Sequence, residues 1–296
     1  MPLMYLAKVN LNSRIFDIYK KNITIGEVCE SIYKNFDVDY SYKEEQKCKY
    51  LDELGNTQEY TQTSDYTLKN IEKMLDTGDK VITGKISRKY NKRTEDEEGK
   101  VVYNTERSSI YFYYNVDKEM VVFRERQSFG YNQFMNAFTK ILNGCASGYI
   151  FEMFLQKDSD MLVEKIGGLK SVTKVKAVLI PPNSNEDDLK ELRDQLKYMQ
   201  QCQDMNATKI TMEYSSEDMN MESNMIKEII TATSRGYGDF TATGVTSDKK
   251  LKTIKSNQDA AFTLNISEGV DNDMFNKEAK EFISSVITKI KNKIRV

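Results

Sequence analysis

"SSIYFYYNVDKEMVVFRER", from Ser108 to Arg126, decides the fold class. Its first half alternates Ile110, Phe112 and Tyr114 with Tyr111 and Tyr113, and "MVVFRER" resumes after the short link "VDKE". A period of two in aromatic and β-branched residues predicts paired antiparallel strands. Immediately upstream, "KVITGKISRKYNK" and the acidic turn "TEDEEGK" extend the pattern into a meander. Immediately downstream, "SFGYNQFMNAFTKILNG" spaces Phe134, Phe138, Ile141 and Leu142 on one helical face, which predicts a helix packed on that sheet.

Towards the N-terminus, "LMYLAKVNL" reads as a strand and "TIGEVCESIYKNF" as a helix carrying Ile25, Val28, Ile32 and Phe36. Residues 37–64 are polar and weakly periodic and read as loop. "SDYTLKNIEKML" reads as a helix, with Ser64 or Asp65 as its cap, Leu68, Ile71 and Leu75 on one face and Gly78 as its stop. Towards the C-terminus, "GYIFEMFLQ" is a strand and "DSDMLVEKIGG" a short helix ending at Gly167 and Gly168. That glycine pair marks a domain boundary, which divides the chain into residues 1–168 and 169–296.

The second half orders more simply. "VTKVKAVLIPP" and "ATKITMEYS" are strands around a helix capped by Asn183 or Ser184, with Leu189, Leu192, Leu196 and Met199 facing inward. "MNMESNMIKEIITATS" is a second helix, "AAFTLNI" a strand, and a long amphipathic helix runs through Phe275, Ala279, Phe282, Val286, Ile290 and Ile294. The expectation is an α+β protein of two domains, each a mainly antiparallel sheet packed by helices.

Composition removes several chemistries. None of the 296 residues is a histidine, so imidazole-based nucleophile pairs, metal sites and proton shuttles are excluded. Cys29, Cys48, Cys145 and Cys202 lack C-x-x-C spacing, and the start Met1-Pro2 has no basic segment followed by an apolar run; both predict a cytoplasmic protein with reduced thiols. No apolar run approaches the roughly 20 residues of a membrane span. With 43 basic and 45 acidic residues the net charge is −2, so any binding to nucleic acid has to come from a local patch.

Three local features carry candidate sites. In "SRGYGDFTATGVTSDKKLKTIKS" (Ser234–Ser256), no helix follows the glycines to receive a phosphate, so Gly236 or Gly238 is expected to cap the preceding helix. Lys249, Lys250, Lys252 and Lys255 then sit on a hairpin, with Arg235 and Lys209 near, and bind phosphates or guard an exposed edge. In a second basic run, Lys85 and Lys89 take one face of a strand and Arg88 and Lys92 the other. Arg124 and Arg126 flank the aromatic strand, an arrangement open to base stacking or to core packing. Asp117, Glu119, Glu125 and Glu213 are the carboxylates from which a metal-dependent nuclease would be built. No cofactor is expected.

The aromatic hairpin and helix "SIYFYYNVDKEMVVFRERQSFGYNQFMNAFTKIL", followed by a strand and helix, a glycine-containing strand, a lysine-rich hairpin and a terminal helix, resembles RexA-type phage-exclusion proteins. That resemblance implies a cytoplasmic bacterial antiphage factor that dimerises, binds DNA with little sequence preference and signals to a partner effector. The expected function is a non-catalytic sensor or adaptor on nucleic acid. A protein-interaction module or toxin-type effector, and a metal-dependent nuclease, stand as alternatives. The terminal helix, ending in Lys289, Lys291, Lys293 and Arg295, is read either as a partner surface or as a lid on the core.

Overall fold

The computed structural model describes residues 3–51, 55–95, 100–183, 197–267 and 269–294. The chain opens with β1 (Leu3–Leu11), α1 (Ile15–Tyr19) and α2 (Ile25–Asn35), then lays down β2 (Ser41–Leu51), β3 (Thr57–Asp76), β4 (Asp79–Glu95), β5 (Val101–Asn115) and β6 (Met120–Arg124). Next come α3 (Tyr131–Cys145), β7 (Phe151–Leu155), α4 (Ser159–Gly167) and β8 (Ser171–Leu179). After these run α5 (Lys197–Met205), β9 (Ile210–Ser215) and α6 (Asn224–Ser234), and then the hairpin of β10 (Gly238–Val245) and β11 (Leu251–Lys255). The chain closes with α7 (Ser256–Asp259), β12 (Thr263–Asn265) and α8 (Asn272–Ile294). The fold is α+β, as the strand and helix patterns imply.

The larger sheet is ordered β12-β1-β6-β5-β4-β3-β2, with β7 also pairing β1, and every pairing in it is antiparallel. Pleating sends alternate residues to opposite faces, and both faces are used. On the inner face Tyr5, Ala7, Ile82, Ile86, Ile110, Phe112, Tyr114, Val121 and Phe123 meet α2 and α3. There the rings of Phe123 and Phe134 stack at 4.1 Å, and Thr24 and Glu27 form the capping box that starts α2. On the outer face Met4, Leu6, Val81, Tyr113 and Val122 are covered by Phe275, Ala279, Phe282, Ile283 and Val286 of α8. Each large side chain of α8 so buried contributes about 1.5–3 kcal/mol. The terminal helix therefore closes the core, and Lys280 and Lys289 pin it to Asp76 and Asp158.

Two of the expectations fail between residues 37 and 76. The segment read as loop is β2 and the first part of β3, paired from Ser41↔Thr67 to Leu51↔Thr57, and the segment read as a helix is the rest of β3. The helical spacing has a physical source. The β3–β4 register shifts by one residue between Lys69 and Glu72, and Asn70 takes φ +52°, so an extra residue is inserted. The bulge brings Leu68 and Ile71, three apart, to the same core, where Ile71 packs over Gly84. Leu75, expected on the same packed face, is 70% exposed.

The smaller sheet is ordered β11-β10-β8-β9, also antiparallel, with α4, α5 and α6 on one side around Val175, Phe240, Tyr198 and Ile229. Of the helix expected from Asn183 to Met205, Lys197–Met205 is helical with Met199 buried; Ser184, Leu189, Leu192 and Leu196 lie outside the described residues. The two sheets fall on either side of Gly167–Gly168, yet β12 and α8 return to the larger one. Among the described residues no helix is long and apolar enough to cross a membrane.

The glycines after α6 shape a turn. Gly236, at φ +77°, ends the helix with its N–H on the Thr233 carbonyl while the Tyr237 N–H reaches Ala232, a left-handed cap. A side chain there would also strike Lys8 Cβ at 2.9 Å. Gly236→Ala is accordingly expected to lower unfolding free energy by about 2 kcal/mol, from the left-handed backbone together with that contact. Urea titration of the two proteins measures it, and an unchanged midpoint would refute the account.

Candidate nucleic-acid interface

Register places the basic residues. Across the larger sheet Lys69 pairs Lys85, Lys85 pairs Tyr111, and Lys89 sits between Asp65 and Arg107. Directly paired residues share a face, and these face away from the inner core. Arg124, opposite Met4, comes two residues after Val122 on β6 and so joins the same outer side. α8 begins at Tyr111, where Phe275 meets the ring edge-on at 5.2 Å and Asn276 accepts from the hydroxyl at 3.2 Å. Beyond that point the outer face carries Lys69, Lys85, Lys89, Arg107 and Arg124 from four neighbouring strands.

This strip opens onto a groove of about 1630 Å³ along β5, where β6 has stopped pairing and the chain turns through residues 124–130. Lys92, Arg107, Arg124 and Arg126 line it with Ser108, Ser109, Gln127 and Ser128. Its two acids are already engaged. Glu106 accepts from the Tyr90 hydroxyl at 2.5 Å and from Lys92 at 3.1 Å, which holds its carboxyl below the usual carboxylate range. Glu125 accepts from the Tyr5 hydroxyl at 3.1 Å. Arg107 and Arg126 are exposed and have no ion-pair partner among the described residues.

Lys85, Lys89, Arg124 and Arg126 are thus brought together. Arg88 is not one of them. It takes the opposite face, as the alternation requires, but is only 5% exposed and donates to Ser64 Oγ, the Ser128 carbonyl and Gln133 Oε1, with its guanidinium 4.0 Å over the Tyr90 ring. Arg88 is thus a core residue, not the phosphate contact expected from the sequence, because burial keeps its guanidinium from a ligand. Arg107 and Lys69 lie outside the basic run of β4, and only the register across β3, β4 and β5 sets Lys69 beside Lys85 and Arg107 beside Lys89.

The lysine hairpin forms as expected, but its lysines do not converge. Lys249 occupies the turn at φ +63°, and Lys250 pairs Asp248 at 2.9 Å. Lys252 shares the side of buried Ile254, whereas Lys255 points the other way, opposite Thr241. Arg235 lies at the end of α6 with its carbonyl accepting from Gln156, and Lys209 pairs Glu152 at 2.8 Å. The aromatic strand is core packing: Phe112 and Tyr114 point inward, and Tyr113 lies under α8.

The carboxylates do not assemble either. Glu213 pairs Lys174 at 2.7 Å on the smaller sheet, Asp117 pairs Lys80 at 3.5 Å, and Glu125 faces Tyr5. Among the described residues no group of three or more Cys, Asp or Glu is placed to hold a metal ion. Glu119 has another role at the junction of the sheets. It is buried 3.5 Å from Lys8 Nζ and accepts from Asn183 Nδ2 at 2.6 Å, with Tyr237 beneath the ammonium at 5.2 Å. Sequence periodicity does not disclose this cluster, since each member comes from a different element.

The fold and face together define an α+β protein with a basic sheet surface. The chain belongs to the family described as a domain of unknown function, DUF4747, which matches residues 43–277 and so includes every cation of the strip and groove. No curated protein matches it.

Burial raises the Glu119 carboxyl from 4.5 to about 7 against the opposing pull of Lys8. A carboxyl that holds its proton more tightly folded than unfolded makes stability fall as pH rises, here across the window from about 4.5 to about 7. Lys8 is shifted upward and titrates above this window. With no histidine to titrate in the same range, Glu119→Gln is expected to flatten the decline. Urea unfolding at intervals from pH 4.5 to 7.5 checks it; parallel curves for the two proteins would exclude Glu119 as the source.

Proposed function

We propose that this protein binds the phosphate backbone of nucleic acid without regard to sequence, through the outer face of the larger sheet and the groove along β5. It acts on this reading as a sensor or adaptor, with no reaction of its own. The observation that supports it is the convergence of Lys69, Lys85, Lys89, Arg107, Arg124 and Arg126 on one surface of a chain whose net charge is −2. A net acidic protein gains nothing from its overall field, so a local excess of cations is the term that attracts a polyanion. Hydroxyls and amides between the cations, from Ser108, Ser109, Ser128 and Gln127, are suitable donors to phosphate oxygens. The setting proposed with it is the one the RexA resemblance implies: a cytoplasmic bacterial antiphage factor, dimeric, that passes the signal to a partner protein.

Replacing the exposed Lys89, Arg107 and Arg126 together with Glu is expected to weaken binding on the order of 100-fold at low salt. It should also flatten the plot of log affinity against log salt by about 0.7–0.9 per lost phosphate contact. Anisotropy titrations read both quantities. The fourfold Glu replacement of Lys249, Lys250, Lys252 and Lys255 is expected to do much less, because those side chains point different ways. Wild-type affinity in the triple variant, with an unchanged circular dichroism spectrum, would sink the proposal.

A further inference from the structure

We infer that the groove takes a single strand rather than a duplex, and that the ring of Tyr103 stacks on one of its bases. This deepens the phosphate-binding reading and rests on it. Tyr103 lies on β5 four residues before Arg107 and shares its parity on that strand, about 13 Å away along it. It pairs directly with Arg93 on β4.

The ring is 56% exposed, which is unusual for a large aromatic on a sheet that buries most of its others. It is also held in place. The Tyr60 ring lies 6.3 Å away, Tyr50 lies 6.0 Å from Tyr60, and the Arg93 guanidinium covers Tyr50 at 3.8 Å. Neighbouring rings and a cation that fix one aromatic while leaving it half in solvent make a pre-ordered stacking surface, set at the end of a row of phosphate-binding groups.

The edge of β5 adds a second reason. Between Val101 and Ile110 it pairs with β4, while β6 joins it only from Phe112, so on its groove side no described strand occupies the backbone N–H and C=O groups. Those groups hydrogen-bond to bases that are free to turn outward. In a duplex the bases are stacked on one another and paired, so neither the Tyr103 ring nor this edge reaches them.

The test uses the full chain and two fluorescein-labelled probes, a mixed-sequence single strand of roughly 20 nucleotides and the duplex of the same sequence, titrated at matched salt. The single strand is expected to bind about tenfold tighter or more than the duplex. Tyr103→Ala is expected to cost about tenfold on the single strand and nothing on the duplex, Tyr103→Phe to restore affinity, and neither to change the salt slope, since no phosphate contact is lost. Equal affinity for the two probes, or a Tyr103→Ala protein that holds the single strand as tightly as wild type, overturns the inference while leaving the phosphate-binding reading intact. Failure of wild type to bind either probe overturns both.

Discussion

The pairing of β4 with β5, unbroken from Val81↔Asn115 to Glu95↔Val101, is the constraint on which the rest of the structure depends. Two strands joined over that length have no freedom to choose faces: one parity of residues goes to the core, the other away from it. On one side this puts Ile82, Ile86, Ile110 and Phe112 under α2 and α3. On the other it puts Val81 and Tyr113 under α8, and Lys85, Lys89 and Arg107 beyond the end of that helix. A slip of one residue would carry the lysines into the core and the isoleucines into water. Hydrophobic burial of the inner face therefore enforces the basic character of the outer one.

The same pairing explains why Arg88 and Lys89, adjacent in the chain, have opposite fates. Arg88 is turned inward and finds enough acceptors, in Ser64, Ser128 and Gln133, to be held there with its charge satisfied. Lys89 is turned outward between Arg107 and Asp65, where solvent screens the like charges and the carboxylate of Asp65 lies on its other side. At the junction of the sheets the balance is different. Lys8 and Glu119 are both deprived of water and lean on one another and on Asn183, a pairing that ties β1 and the β5–β6 turn to the far end of β8.

In the stretch between Ser234 and Ser256 local structure follows the sequence, but the side chains do not share one surface. Its glycines do end a helix, Gly236 in the left-handed region, and a hairpin does follow. The lysines of that hairpin nonetheless diverge, because strand alternation divides Lys252 from Lys255 and Asp248 engages Lys250. The groove along β5 takes its cations from β4, β5, β6 and the segment after β6, which meet only through the register of the sheet.

What the sequence determined by itself is what neighbouring residues decide among themselves. The two-residue period of residues 108–126 set the central strands, the spacing of Phe134, Phe138, Ile141 and Leu142 set α3, and the absence of histidine removed imidazole chemistry. Tertiary structure alone decided the rest. The bulge at Asn70 turned an apparently helical spacing into a strand, α8 docked on the first sheet rather than the second, and register across four strands chose which cations share a surface. Periodicity is written into a segment, but lateral register and the choice of which face is covered are set by contacts between residues far apart in the chain, and those become definite only when the core closes.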